Sequence, residues 1–362
     1  VHAPPALHLV IISRLDPPLP LARLRVQNQM NEVRAADLRF SVEEAEEFFG
    51  RALPTALPTE LVRKLDERAE GWAAGLRLAA LSLQDRPDPE TLVAEFSGTQ
   101  RHVMDFLLEQ VLAQQPPDVV EFLLFTAPLE MMCAPLCNEV LNAADRPQRI
   151  DSHAVLSYLV RSNLFLVALD NKGHWYRYHH LFREALLYWL RTQHSADTIA
   201  TIQRQAAAWF ARNGHLEPAV RQLLEIEAAE EAGNLIEVAI APALGRETWP
   251  QVQQLLAALP DEVITQRPVL LMAQAWLFSV MQRMDLVPGL LQQAETLLCR
   301  QREEGRWSES PPWVQGWIHG LWCLVHMLRW DTAGAISNAQ QALALTPPHH
   351  VYVRGITTTY YG

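Results

Sequence analysis

Apolar residues recur at helical spacing along most of the chain, with two departures. Leu7-His8-Leu9-Val10-Ile11-Ile12 is a nearly continuous, β-branched run that stops at Ser13-Arg14 before Pro17-Pro18. That is the pattern of a strand buried on both faces of a parallel sheet. One such strand cannot bury itself, so its partner strands are expected upstream of Val1. The second departure is a change of period to two. Leu164-Phe165-Leu166-Val167-Ala168-Leu169, a polar Asp170-Asn171-Lys172-Gly173 tip and Trp175-Tyr176-Arg177-Tyr178 predict a β-hairpin.

Between these departures the signals are helical. Ser41 followed three residues later by Glu44 is a capping box, and Pro58-Thr59 opens a helix carrying Leu61, Leu65 and Ala69 on one face. A helix over Ala73 to Gln84 buries Leu76, Ala79, Ala80 and Leu83, and Pro87 and Pro89 are expected to end it. Further helices are predicted over His102 to Gln115, Pro117 to Phe125, Ala134 to Leu141 and Val155 to Arg161, and from His179 to Arg191 after the hairpin. Helix, helix, hairpin is a winged-helix pattern.

Beyond residue 195 helices follow one another in pairs, divided by Asn213-Gly214, Gly233-Asn234, Trp249-Pro250, Pro260, Pro268 and Pro288-Gly289, the mark of an α-solenoid. Ala335, Ala339, Ala342 and Pro347 match the second helix of a tetratricopeptide repeat, whereas Cys323 and His326 occupy its first-helix Gly and Tyr positions. The repeats are therefore degenerate. Trp313, Trp317 and Leu321 form a stripe beside Gly316 and Gly320. Core packing and an aromatic ligand groove, with Trp322 as a third candidate, both remain open for it.

The 362 residues carry a net charge of −11, with 49% hydrophobic and 20% charged residues, which describes a core-forming chain and excludes disorder. No apolar run reaches the ~18–20 residues of a membrane span. Scattered Lys and Arg argue against these residues wrapping nucleic acid, which takes a clustered basic face. Four cysteines are too few and too spread for a disulfide framework, so the expected compartment is the reducing cytoplasm. Cys133 and Cys137 share a helical spacing, but no further Cys/His cluster completes a metal site. Paired carboxylates, a Ser/His/Asp order and a nucleophile elbow are absent as local motifs. Arg34, Asp37 and Arg39 precede a helix cap and read as solvated strand and cap residues.

The run from Ser13-Arg14 through Asp16-Pro17-Pro18-Leu19-Pro20-Leu21-Ala22-Arg23-Leu24-Arg25, followed by Arg34 to Ser41, resembles a segment of MalT-like ATP-dependent transcriptional regulators. These are large LuxR-type members of the STAND class of signalling ATPases. Glu70-Gly71-Trp72-Ala73-Ala74-Gly75-Leu76, Asn163-Leu164-Phe165-Leu166 and Tyr176-Arg177-Tyr178-His179-His180-Leu181-Phe182 agree with it in order and spacing. The resemblance covers residues 5–300. It implies a P-loop nucleotide domain, a helical lid, a winged helix, a helical sensor array and a C-terminal helix-turn-helix, with ADP holding the protein closed and inducer plus ATP driving assembly. Neither a G-x-x-x-x-G-K-[ST] loop nor a basic helix-turn-helix occurs in these residues, so the chain is expected to be an internal part of such a protein.

The resemblance also assigns residues. Arg14, at the end of the first strand, takes the place of the sensor arginine that reaches a γ-phosphate, and a guanidinium there suits that task. His179 takes the place of the winged-helix histidine that donates to the β-phosphate of ADP; His180 is the lesser candidate. The lid motif usually reads Gly-x-Pro, but Ala73 stands in its Pro position, which puts an adenine contact there in doubt. Trp72 would cover the base or pack structurally.

The expected fold is mostly α: residues 1–40 as an α/β sheet remnant, 41–100 as lid, 101–192 as winged helix with its β-hairpin, and 193–362 as a tetratricopeptide-like α-solenoid. ATP or ADP with Mg belongs to the parent protein, and this chain alone is expected neither to hold nucleotide tightly nor to be an enzyme. Expected partners are a small-molecule or protein inducer on the array, further copies of the chain, and DNA only through a domain outside these residues. The rival reading is a helical scaffold for protein partners without nucleotide switching.

Overall fold

The computed structural model describes residues 9–13, 17, 19–84, 89–142, 150–245, 248–305 and 311–361. Two compact units, Val1–Ala206 and Ala207–Gly362, divide the chain.

The first unit corrects the predicted opening strand. Leu9, Val10, Ile11 and Ile12 enter no strand and are 75%, 83%, 48% and 95% exposed. A strand needs a ladder partner, and the sheet among the described residues is a self-contained pair far along the chain. The beginning of the run, Leu7-His8, and the residue after it that the family resemblance singles out, Arg14, lie outside the described residues.

A six-residue helix without a buried residue, α1 (Leu21–Val26), precedes α2 (Val42–Ala52). Here the capping box forms: the Glu44 N–H donates to Ser41 Oγ at 3.3 Å, and the Ser41 N–H to Glu44 Oε2 at 2.9 Å. Ala45 and Phe49, one turn apart, are buried. In α3 (Thr59–Ala69) the buried face is Val62, Leu65 and Ala69, with Leu61 at its edge. The next helix, α4 (Ala73–Gln84), has the expected bounds and buries Leu76, Ala79, Ala80 and Leu83. Pro89, expected as a breaker, instead opens α5 (Pro89–Glu95), where its missing N–H has no intrahelical partner to lose.

The predicted helix over 102–115 is α6 (Arg101–Gln110) followed by a 3-10 turn over Leu112–Gln114. After it come α7 (Pro117–Thr126), α8 (Ala134–Asn142) and α9 (Ser152–Arg161), the last capped by Asp151, which accepts from the N–H groups of His153 and Ala154. Strands β1 (Leu166–Ala168) and β2 (Tyr176–Tyr178) pair antiparallel, Leu166 opposite Tyr178 and Ala168 opposite Tyr176. On the side of β2 away from β1, an isolated bridge joins Tyr176 to Met132. From β2 the chain enters α10 (His180–Gln193) and then α11 (Ala196–Arg212). Helix α10 packs on α7, and the buried Tyr178 hydroxyl lies 2.6 Å from Thr126 Oγ1, tying hairpin to helix.

The second unit is helical throughout its described residues: α12 (Leu216–Leu224), α13 (Ala229–Gly245), α14 (Trp249–Ala257), α15 (Asp261–Thr265), α16 (Pro268–Val280), α17 (Val287–Glu303), α18 (Pro312–Leu328), α19 (Thr332–Leu345) and α20 (Val351–Tyr361). Helices α16 and α17, and α18 and α19, pack as sequential pairs, and both α16 and α17 touch α18. The small residues do what their spacing predicts: Ala335, Ala339 and Ala342 of α19 are buried, and Cys323 of α18 packs against the first two. A Cβ on Gly316 would run into Thr346 Oγ1 and one on Gly320 would stand 3.0 Å from Val353, so both glycines let neighbouring chain segments close on α18. No helix among the described residues is long and apolar enough to cross a membrane.

Candidate functional site

Helix α3 ends because two successive residues turn left-handed, Glu70 at φ +49° and Gly71 at φ +70°. At Gly71 only glycine fits, since a Cβ would lie 2.8 Å from the Phe40 carbonyl oxygen. The turn delivers the Glu70 carboxylate to the start of α10. Oε1 accepts from Arg177 Nη1 at 2.8 Å and from the His180 N–H at 3.0 Å, and Oε2 accepts from Arg177 Nη2 at 2.9 Å. This is the two-pronged guanidinium–carboxylate pairing that is strongest in geometry and energy.

One residue earlier, the Ala69 carbonyl accepts from His179 Nε2 at 2.9 Å. A carbonyl only accepts, so Nε2 carries the hydrogen, and Nδ1 of the neutral ring is left as a bare lone pair. That atom is buried without a partner, on a residue only 6% exposed. The Trp72 and Phe165 rings stand edge-on to the imidazole at 5.8 and 5.9 Å, and the His179 N–H donates to the Phe165 carbonyl at 2.7 Å. Two residues at the end of α3, Ala69 and Glu70, thus hold Arg177, His179 and His180.

The charges follow from this packing. Burial holds the His179 imidazolium below its ordinary range, with Glu70 and the Ala69 carbonyl pulling the other way and Arg39 and Arg177 adding to the depression. Burial alone would raise Glu70; the hydrogen bonds from Arg177, the influence of His179 and the His180 N–H outweigh it and bring the carboxyl down to about 2. The site is a packed seam. Cavities of about 550 Å³ between Pro58, Lys64 and Val93, and of about 530 Å³ beside Ser97 and Arg101, lie elsewhere.

Of the residues read from sequence, His179 and Trp72 meet in this seam. Ala73, the first residue of α4, is exposed and does not join them. Arg14 is not described. In the second unit, Trp317, for which core and groove were both open, lies in the core: it is fully buried, its Nε1 donates to His350 Nδ1 at 2.8 Å, and its carbonyl accepts from Trp276 at 3.3 Å. Trp313 is half-buried against it, and Trp322 is tied through Nε1 to Glu295 at 3.0 Å. Cys133 and Cys137 are buried thiols pushed up by burial, Cys133 standing just before α8 with its carbonyl accepting the Cys137 N–H. Sequence reasoning missed Glu70 and Arg177, although both sit inside quoted motifs. Their opposite charges, 107 positions apart, were the available signal.

Residues 108–198, which contain α7 to α10 and the hairpin, match the family described as MalT winged helix domain. The chain is MalT-like. It is 29% identical over 366 residues to the HTH-type transcriptional regulator MalT of Cronobacter sakazakii, covering 100% of this chain and 39% of that one. It is 30% identical over 302 residues to MalT of Yersinia enterocolitica, covering 82% and 32%. The serine/threonine-protein kinase PknK of Mycobacterium tuberculosis is 31% identical over 294 residues, 81% of this chain and 26% of the kinase. The MalT-like chain therefore spans about a quarter to two fifths of the length of these curated relatives. A solved signal transduction ATPase with numerous domains and a tetratricopeptide repeat sensor, from Pyrococcus horikoshii, superposes on 90% of this chain and 44% of its own with a TM-score of 0.49 at 14% identity.

Proposed function

We propose that this chain is the central control region of an ATP-dependent transcription regulator, a nucleotide-governed assembly switch of the STAND type. One observation carries the proposal: a buried histidine on the winged helix that spends one ring nitrogen on the lid and keeps the other unpaired. A nitrogen closed from water without a partner is costly, and once that nitrogen carries a hydrogen a phosphate oxygen is the partner the family resemblance supplies. The same region recurs in relatives named as a kinase and as HTH-type regulators, which fits control shared between different outputs.

On this reading residues 1–40, 41–100, 101–192 and 193–362 are sheet remnant, lid, winged helix and sensor array. ATP or ADP, with its Mg, is held chiefly by a phosphate-loop domain of the parent protein. This chain contributes His179, with Trp72 beside it and Arg14 toward a γ-phosphate. Because Trp72 and Phe165 cover the imidazole, a phosphate engages Nδ1 only when one of those rings gives way. A contact made in one nucleotide state alone is what a switch requires. The array takes the inducer, copies of the protein assemble, and DNA is bound by a separate domain.

In a parent protein carrying its phosphate loop, His179→Ala loosens ADP and raises activity without inducer; tighter ADP binding in that variant overturns the proposal. The 362-residue chain alone shows negligible ATP hydrolysis, and micromolar ATP binding by calorimetry would contradict the division of labour.

A further inference from the structure

Nothing in the phosphate reading explains the second half of the seam, where Glu70 commits its whole carboxylate to the wing. A neutral His179 with its hydrogen on Nε2 offers a phosphate only a lone pair, which repels it. To donate from Nδ1 while keeping the Ala69 contact, the ring must carry both hydrogens and a positive charge. Burial opposes that charge, and of the ionised groups acting on the ring, Arg39 before α2 and Arg177 on β2 oppose it as well. Glu70, at the end of α3, is the acidic group among them.

We propose that Glu70 is a positioning residue for phosphate at His179: its carboxylate supplies the negative charge against which the imidazole takes a second proton from solvent and donates from Nε2 and Nδ1 together. This rests on the phosphate reading of His179. Arg177 and the His180 N–H keep the carboxylate in place, and the left-handed backbone at Glu70 aims it there. Phosphate binding is then coupled to uptake of one proton, and the grip tightens as pH falls.

The test uses the 362-residue chain with ring-labelled histidine, the His179 signal being assigned by its loss in His179→Gln. Sulfate is the probe, a tetrahedral dianion whose charge is constant over the range titrated. Glu70→Gln keeps the shape of the side chain and should lower the His179 titration midpoint by about one pH unit, a tenfold change in proton affinity. Arg177→Gln, which breaks the same ion pair from the other side, should raise it. A structural latch alone predicts the same effect from both, so equal shifts or none would overturn the inference. Sulfate should raise the midpoint in the unaltered chain and in Glu70→Asp, but not in Glu70→Gln. Sulfate without effect on the unaltered chain, with the two variants still split in sign, would overturn the phosphate reading and with it the positioning role, leaving ring charge under Glu70. Sulfate acting equally with and without the carboxylate would overturn Glu70 alone.

Discussion

His179 and Ala69 meet side chain to backbone, imidazole Nε2 on carbonyl oxygen at 2.9 Å, and the adjacent pair reverses the roles, the His180 backbone N–H on the Glu70 carboxylate at 3.0 Å. The seam is therefore reciprocal, and its strength depends on the charge state of both acidic and imidazole partners.

Acid should loosen the first unit in two stages. His179 titrates below its ordinary value of 6.5 when folded, so as pH falls from 6.5 the unfolded chain takes up the proton first and stability drops. Glu70 titrates at about 2 folded against 4.5 unfolded; its contribution is complete above 4.5 and is lost as pH falls toward 2. Glu70→Gln should cost on the order of 2–3 kcal/mol at neutral pH and flatten the lower stage. Urea unfolding followed by tryptophan fluorescence at pH 7, 5 and 3 measures both.

Gly98 and Gly214 should respond differently to alanine. A Cβ at Gly98 would strike the Leu181 carbonyl, where the Gly98 N–H also meets Glu184 at 2.7 Å; Gly98→Ala should cost about 3 kcal/mol through overpacking. Gly214 has open space but φ +80°, so Gly214→Ala should cost only ~1 kcal/mol of backbone strain. Comparing urea midpoints of the two variants separates the mechanisms.

Trp317→Phe should destabilise the second unit by roughly 2–3 kcal/mol, because it deletes ring volume and strips His350 Nδ1, buried, of its donor. Trp313→Ala, at a half-buried ring, should cost clearly less. Thermal melts of both report the difference, and equal losses would show that Trp313 shares the core.

Trp330 is 93% exposed at φ +60° in the turn between α18 and α19. Asn tolerates that conformation better, so Trp330→Asn should raise stability by about 0.5–1 kcal/mol and reduce concentration-dependent light scattering. Unchanged scattering would show that self-association runs through another surface.

Much of the architecture could be read locally, for local reasons. The Ser41–Glu44 box, the bounds of α4 and the turn after Asp170 each rest on residues within one or two turns of each other. The winged helix followed from a change of period, and the buried Ala335–Ala339 face from small-residue spacing. What local reading missed depends on distant partners. Leu9 to Ile12 has a strand's composition without a ladder to join. Pro89 reads as a breaker until the chain on its C-terminal side turns helical. Glu70 looked like the tail of a helix until Arg177, on the hairpin, came within 2.8 Å. Trp317 differs from Trp313 only in depth, which spacing along one helix does not encode.

Phe165 holds a left-handed backbone at φ +51°, a conformation that costs a non-glycine residue roughly 1–2 kcal/mol. Its ring stacks on Phe182 and meets Trp72 edge-on, both at 5.0 Å, while its carbonyl holds the His179 N–H. The hairpin's base is thus wound like a spring whose catch is aromatic. Phe165 therefore joins the ring packed against Trp72 to the carbonyl that holds His179, so a change at the start of α4 reaches the His179 main chain through a single residue.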